Sequence, residues 1–137
     1  MNKKFRVDIL TPFGKYLSTD ADYLSVSTSM GVIGILPNHA PLISTVEISK
    51  LEIRDGNSKL IFAVGGGLIH IKEGTNVVLL LDSIERSDEI DVARALEAKK
   101  RADDRLSRHS DDIDVARAKA ALSRALNRLS VSNETDI

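Results

Sequence analysis

The spacing of apolar residues changes near residue 85 and divides the chain into two parts. In the first part, apolar and polar residues alternate in short runs, as at Phe5, Val7 and Ile9. A two-residue period places alternate side chains on one face and is typical of a half-buried β-strand. At least seven such runs, separated by turns, occur before Ser83. They predict an antiparallel β-sandwich or a flattened barrel over residues 1–84.

Three local patterns add detail to this prediction. The apolar period slips between Val46–Ile48 and Leu51–Ile53, which indicates a bulge or a bend. Asp55-Gly56-Asn57 has the composition of a hairpin turn. The run Gly65–Gly67 lacks the Gly-Lys-Ser/Thr of a phosphate loop. We therefore expect it to mark a close approach of another backbone.

After Ser87 the pattern becomes helical, with Ser87 and Asp88 as the expected N-caps of the first helix. The phrase Ile-Asp-Val-Ala-Arg-Ala occurs twice, starting at Ile90 and again at Ile113. Each copy opens a stripe of residues spaced alternately by three and four positions, which is the spacing of a narrow helix-packing seam. The stripes contain Val92, Ala95, Lys99, Ala102 and Leu106 in the first copy and Val115, Ala118, Leu122, Ala125 and Leu129 in the second.

Two equivalent stripes joined by a short turn predict an antiparallel two-helix hairpin over residues 88–131. The predicted fold class is therefore α+β, a β-sandwich followed by a helical hairpin, with residues 132–137 as a flexible polar tail. Alanine buries little area in the seam. For this reason we expect the hairpin to be the least stable part of the protein and able to detach.

Composition narrows the classes of function. The 137 residues carry a net charge of −1 and no cysteine, which argues against a surface devoted to nucleic acid and excludes disulfides. No apolar run approaches the roughly 20 residues that span a bilayer, so we expect membrane association only through another protein. His39, His70 and His109 are scattered, and no Gly-x-Ser-x-Gly elbow occurs. We predict a binding module without catalytic residues or a metal.

The predicted second helix carries charge of a single sign. Between Val115 and Val131 there is no acidic residue, whereas the first helix mixes both signs. A solvated face usually carries both signs, so a basic helix indicates an acidic partner or a polyanionic ligand. DNA ranks lower because no aromatic residue lies among the basic ones. The basic residues are Arg117, Lys119, Arg124 and Arg128.

The stretch GVIGILPNHAPLIS, residues 31–44, is apolar and is stiffened by two prolines. We expect its His39 to bond to backbone groups of the loop, and Asn38 tolerates a left-handed backbone. The apolar residues suit either core packing or a docking surface.

This stretch closely resembles the loop signature G-x-x-G-I-L-P-G-H-A-P-L of the epsilon subunits of bacterial F-type ATP synthases. The resemblance covers nearly the whole chain, because the Asp8–Pro12 opening, the glycine run and the later Ile-Asp-x-x-Arg-Ala follow in the same order. Two departures are Asn38, where glycine is common, and Val32, where some relatives carry an acid.

The resemblance implies a ten-stranded sandwich at the foot of the rotor of a proton-translocating ATP synthase, in contact with the gamma subunit and the ring of c subunits. It implies a hairpin that moves between a folded position on the sandwich and an extended position along gamma, where it blocks ATP hydrolysis. We therefore expect a non-catalytic subunit, held peripherally at the cytoplasmic face of the bacterial cell membrane by the complex. The docking residues would be Gly31, Val32, Gly34, Pro37 and His39, and the contacts to the beta subunit Arg117, Lys119, Arg124 and Arg128.

In some bacilli-type relatives, the first-helix motif and arginines of both helices bind ATP, which holds the hairpin folded. Guanidinium groups suit phosphates because they bond to them bidentately. No cofactor would be required here, and ATP would be a regulatory ligand. The matching residues are Ile90, Asp91, Arg94, Ala95, Arg101, Arg117, Arg124 and Arg128.

Two alternatives stay open. Asp91 is also a good helix-start acid, and Asp114 repeats it where the resemblance implies no nucleotide, so the motif would then be only a helix opening. For the whole chain, the alternative is a free-standing nucleotide-sensing or small-ligand binding protein with a helical lid. An enzyme would need a convergent acid–base pair that the sequence does not offer.

Overall fold

The computed structural model describes residues 3–73, 76–108 and 112–133. These residues form eight strands, one short 3₁₀ turn at Ser87–Glu89 and two α-helices. The strands are β1 (Phe5–Thr11), β2 (Gly14–Ala21), β3 (Tyr23–Thr28), β4 (Gly31–Ile35), β5 (Leu42–Asp55), β6 (Ser58–Ile71), β7 (Asn76–Leu81) and β8 (Ile84–Arg86), and the helices are α1 (Val92–Arg108) and α2 (Asp112–Ser132).

The two long strands β5 and β6 connect the layers of the sandwich. They pair with each other over 14 residues each, joined at the turn where Gly56 has a φ of +63°. The second half of β6, from Gly67, pairs with β7, whereas Phe62–Val64 in the first half pairs with β8. One layer therefore contains β2, β1 and β7, the other contains β3, β4 and β8, and β5 and β6 contribute to both.

The predicted sandwich, hairpin turn and bend are confirmed. Opposite β3, the register of β5 jumps: Ser25 lies across from Glu52, but Thr28 lies across from Val46. This irregularity falls where the apolar period slips in the sequence. Counting the halves of β5 and β6 separately turns eight strands into the ten that the resemblance implies. One strand pair, β1 with β7, is parallel, because the chain reaches β7 through the second layer and not through a hairpin.

The core lies between the two layers and consists almost entirely of aliphatic side chains. Each strand contributes alternate residues, as the two-residue period predicts. The largest fully buried side chains of this core are Phe62, Ile9, Leu24, Ile35, Leu51, Ile53, Ile69, Leu79, Val7, Val26 and Val64.

The glycine run lies in β6 and meets neighbouring chain segments at very short range, as predicted. A Cβ placed on Gly67 would lie 2.0 Å from the carbonyl oxygen of Leu80, and one on Gly65 would lie 2.2 Å from the Ser83 hydroxyl. Gly66 and Gly67 also have φ angles of +102° and +149°. The run therefore lets β7 and Ser83 approach the β6 backbone closely and does not form a phosphate loop.

The helices form the predicted hairpin around an alanine seam. Ala95 and Ala102 of α1 and Ala118 and Ala125 of α2 are at most 3% exposed. Only residues 109–111 separate the helices; these residues, including His109, lie outside the described residues. Residues 134–137, most of the predicted tail, also lie outside them.

The predicted N-caps Ser87 and Asp88 are wrong. The cap of α1 is Asp91, whose carboxylate accepts the Arg94 amide at 3.0 Å while its carbonyl accepts the Ala95 amide at 3.0 Å. Ile90 explains the shift, since it is buried with Ile61 of the sheet. Its packing keeps the preceding residues in a separate 3₁₀ turn with extended backbone at Ile90.

The end of α2 lies on the outer face of the second layer. Val131 and Ile90 pack on Ile61 and Ala63 in a small apolar cluster separate from the main core. The Asn127 side-chain amide donates to the carbonyl oxygens of Ser49 at 2.8 Å and Val64 at 3.5 Å. The hairpin is therefore folded onto the sandwich through a contact much smaller than the core.

Gly67→Ala is predicted to destabilise the sandwich more than Gly14→Ala. Both glycines have positive φ, and placing alanine in such a conformation costs of order 1–3 kcal/mol. A Cβ on Gly14 would meet nothing within 4 Å, whereas the clash at Leu80 adds roughly 1–3 kcal/mol. Urea unfolding followed by circular dichroism measures both variants. Equal losses would show that the close approach relaxes without cost.

Candidate functional site: the cleft between the hairpin and strand β8

A cleft of about 420 Å³ lies where α1, the end of α2 and the β7–β8 segment meet. This volume is within the range of small-molecule sites, roughly 300–1,000 Å³. Its walls come from both parts of the chain, because the β7–β8 segment belongs to the sandwich. The lining residues are Ser83, Glu85, Asp91, Arg94, Ala95, Ala98, Arg101 and Arg128.

The structure brings together five of the residues matched to the ATP motif. Four of them, Asp91, Arg94, Ala95 and Arg101, recur at helical spacing and so share one face of α1, and Arg128 faces them from α2. The other three matched residues are placed differently. Arg124 lines a small adjoining cavity that also reaches Ser83 and Arg128, Ile90 is buried against the sheet, and Arg117 is exposed on α2.

The cleft carries three guanidinium groups and two carboxylates. Arg128 donates from Nε to the Glu85 carboxylate, and the two side chains are 31% and 36% exposed. Glu85 was missed by sequence reasoning because it lies in a strand 43 residues from Arg128. No local spacing signals such a pair.

The geometry suits the binding of a phosphorylated anion. Guanidinium groups present forked donors that match phosphate oxygens, and three of them line a partly enclosed volume. Asp91 already uses one carboxylate oxygen to cap α1. Among the described residues, no three His, Cys, Asp or Glu side chains are grouped to hold a metal ion.

A second cavity of about 280 Å³ also reaches Ser83 and lies beside the β1–β2 turn. Its Tyr16 ring meets Phe62 edge to face, with 6.2 Å between centroids. Burial raises the pKa of the Tyr16 phenol, and the Glu89 carboxylate raises it further, whereas the Arg86 guanidinium opposes the shift. Tyr16 therefore stays protonated at neutral pH and contributes a neutral wall.

The loop at residues 31–44 divides its apolar side chains between core and solvent. Ile35 is buried and Ile33 packs against the core, whereas Val32 is 74% and Leu36 61% exposed. Gly34 leaves room for Tyr23, whose ring lies 3.2 Å from the position of a Cβ there. The loop thus contributes to the core and also leaves two apolar side chains exposed.

His39 is tied to the backbone of its own loop, as predicted. Its Nδ1 lies 2.7 Å from the Ala40 carbonyl oxygen, and its amide donates to Leu36 at 3.2 Å. Asn38 takes a φ of +68°, the left-handed conformation that asparagine tolerates. His39 therefore helps to shape the loop.

Both parts of the chain match models of one protein family. Residues 4–87 match the ATP synthase delta/epsilon chain β-sandwich domain, and residues 88–133 match the ATP synthase delta/epsilon chain long α-helix domain. The chain belongs to the ATP synthase delta/epsilon chain family. The boundary between the two matches falls within the 3₁₀ turn that separates the sheet from α1.

Relatives within this family are named epsilon chains. The ATP synthase epsilon chain of Desulforamulus reducens is 39% identical over 107 residues, covering 78% of this chain and 80% of the relative. That of Anoxybacillus flavithermus is 39% identical over 104 residues, covering 76% and 77%. The predicted resemblance to epsilon subunits is confirmed.

The fold also matches a chain in a cryo-EM structure of the Euglena gracilis mitochondrial ATP synthase, OSCP/F1/c-ring in rotational state 1. The TM-score is 0.80 at 18% identity, covering 90% of this chain and 78% of the other. Within the described ranges, neither helix is both long and apolar enough to cross a membrane.

Asp91→Ala is predicted to lower the free energy of unfolding of the hairpin by about 1 kcal/mol, the usual value of an N-cap. Asp91→Ser, which retains a capping oxygen, should leave stability within a few tenths of a kcal/mol of the parent chain. Thermal unfolding followed by circular dichroism at the helix band measures both. A stable Asp91→Ala variant would show that α1 does not need this cap.

Proposed function

We propose that this chain is a non-catalytic central-stalk subunit of a bacterial proton-translocating F-type ATP synthase, and that its hairpin regulates ATP hydrolysis in response to ATP. Family membership supports the first part. The observation that carries the second is the arginine-lined cleft, whose walls belong to both the hairpin and the sandwich. The cleft adds to the motif match, because five of the residues matched to the ATP motif line it.

ATP bound in the cleft would hold the hairpin folded. A ligand that binds the folded arrangement and not the opened one stabilises the folded arrangement by mass action. Arg94 and Arg101 of α1 and Arg128 of α2 would pair with the phosphates, and Asp91 would accept a hydrogen bond from the base or ribose. Lifting the hairpin off the sandwich would separate these groups from Ser83 and Glu85, which form the sheet wall of the cleft.

The gamma subunit and the c ring are the proposed partners of the sandwich. Val32 and Leu36 support this because they expose apolar surface on a loop that Pro37 and the core residue Ile35 hold in shape. Gly31, where a Cβ would meet nothing within 4 Å, would allow close approach of the ring, and His39 would keep the loop in its docking shape. Membrane association would be peripheral, at the cytoplasmic face, and provided by the complex.

The proposed contact to the beta subunit uses the basic face of α2 in an extended hairpin. Arg117 and Lys119 are exposed in the folded state, whereas Arg124 and Arg128 are partly buried at the sandwich. Extension would therefore present all four cations together to an acidic segment. The folded hairpin would withhold two of them.

Arg94→Ala is predicted to weaken ATP binding by about 1.5–3 kcal/mol, the value of a charge-assisted hydrogen bond. The matched control is Arg105→Ala, which removes the same charge from an exposed position of α1 outside the cleft. Calorimetric titration of the full chain with ATP and with Mg-ATP measures both. Equal affinity of the two variants for ATP would show that ATP does not bind in the cleft.

Reversing Arg117 and Lys119 to glutamate is predicted to relieve inhibition of ATP hydrolysis in the assembled ATP synthase. Neither residue lines the cleft, so ATP binding to the isolated chain should change little. Hydrolysis by the complex is measured alongside titration of the isolated variant. Undiminished inhibition would show that electrostatic docking of α2 to the beta subunit is the wrong mechanism.

A further inference from the structure

The cleft already contains an anion of its own. Glu85 on β8 directs its carboxylate to the Nε of Arg128, and both side chains also line the volume in which the proposed ligand would sit. Each is about one third exposed, so solvent screens this pair only in part. An added phosphate group and the Glu85 carboxylate would therefore compete for the same guanidinium.

The same ion pair bridges the two parts of the molecule. Glu85 belongs to a strand paired with β6, and Arg128 belongs to the last turns of α2. This part of α2 also contacts the sheet through the Asn127 hydrogen bonds and the small cluster around Val131. Because this apolar cluster is small, even one partly exposed ion pair contributes measurably to holding the hairpin on the sheet.

We propose that Glu85 is an internal counter-anion: it holds Arg128, and with it the hairpin, in the empty protein, and an incoming phosphate group takes its place. Only the displacement step of this proposal rests on the function proposed above. The ion pair's role in the empty protein is independent of any ligand. Glu85 would thereby lower the affinity of the cleft for ATP while keeping the hairpin closed when ATP is scarce.

The test compares Glu85→Gln with Glu89→Gln. Glutamine keeps the size of the side chain and removes one negative charge in both, but Glu89 is exposed and does not line the cleft. Without nucleotide, Glu85→Gln should increase hydrogen exchange at the amides of α2, and added salt should reproduce the effect in the parent chain. Glu89→Gln should exchange like the parent. Unchanged exchange in Glu85→Gln would overturn the role of the ion pair.

The second measurement is calorimetric titration with ATP. The closed form of Glu85→Gln should bind ATP about fivefold more tightly than that of the parent chain, on the scale of one partly exposed ion pair, once the closed fraction found by hydrogen exchange is taken into account. Glu89→Gln should bind it like the parent. Equal or weaker binding by Glu85→Gln would overturn the displacement. If no variant bound ATP, the proposed ATP function would fail together with the displacement, and hydrogen exchange would still decide the role of the ion pair.

A charge swap separates the ion pair from the arginine itself. The double variant Glu85→Arg, Arg128→Glu restores opposite charges across the same gap, so its α2 amides should regain protection relative to Arg128→Glu alone. If the double variant and Arg128→Glu alone showed equal exchange at the α2 amides, the interaction between positions 85 and 128 would not contribute to closure of the hairpin.

Discussion

The fold and the candidate site both depend on the close backbone approach at Gly65–Gly67. Side chains there would overlap the Leu80 carbonyl and the Ser83 hydroxyl. Because the glycines leave this space open, β6 passes from one layer to the other while β7 and β8 lie against its two halves. Glu85 on β8 thereby comes within reach of α2. A glycine run in the middle of a strand thus determines where the sheet wall of the cleft stands.

The energetics of the two parts are unequal. The core of the sandwich buries eleven large side chains almost completely, whereas the hairpin relies on alanines and on one small cluster with the sheet. Since stabilisation scales with the apolar area removed from water, opening the hairpin costs much less than unfolding the sandwich. A ligand that touches both parts can shift such an equilibrium with modest binding energy. The alanine seam would also keep the helices paired with each other if the hairpin left the sheet.

Much of this architecture could be predicted from the sequence, because burial imposes its period directly on the residues. The alternation of Phe5, Val7 and Ile9 and the repeated helix phrase each report one face of one element. The N-cap was misplaced because Ser87, Asp88 and Asp91 all have capping chemistry, and the packing of Ile90 on the sheet decides among them. The parallel pairing of β1 with β7 likewise depends on the path of the chain between layers.

The residues of the cleft likewise divide into those that could be predicted from the sequence and those that could not. Asp91, Arg94 and Arg101 could be named before the structure was known, because the resemblance to ATP-binding relatives implies them and helical spacing then places them on one face. Glu85 could not, because an acid in a short strand looks the same whether it faces solvent or a guanidinium. The position of Glu85 depends both on the close backbone approach at Gly65–Gly67 and on the docking of α2. Contacts between distant segments are where sequence reasoning stops.

If the proposals hold, the Arg128 guanidinium pairs with a different anion in each of three states. These anions are the Glu85 carboxylate, a phosphate group and an acidic segment of the beta subunit. One guanidinium at one position cannot satisfy all three, so the three states exclude one another. Thermodynamic linkage then makes the effect reciprocal. If ATP closes the hairpin, an extended hairpin must bind ATP more weakly by the same factor. In the assembled complex, the affinity of this cleft for ATP would therefore fall below that of the isolated chain. The reduction would grow with the fraction of time for which the hairpin is extended.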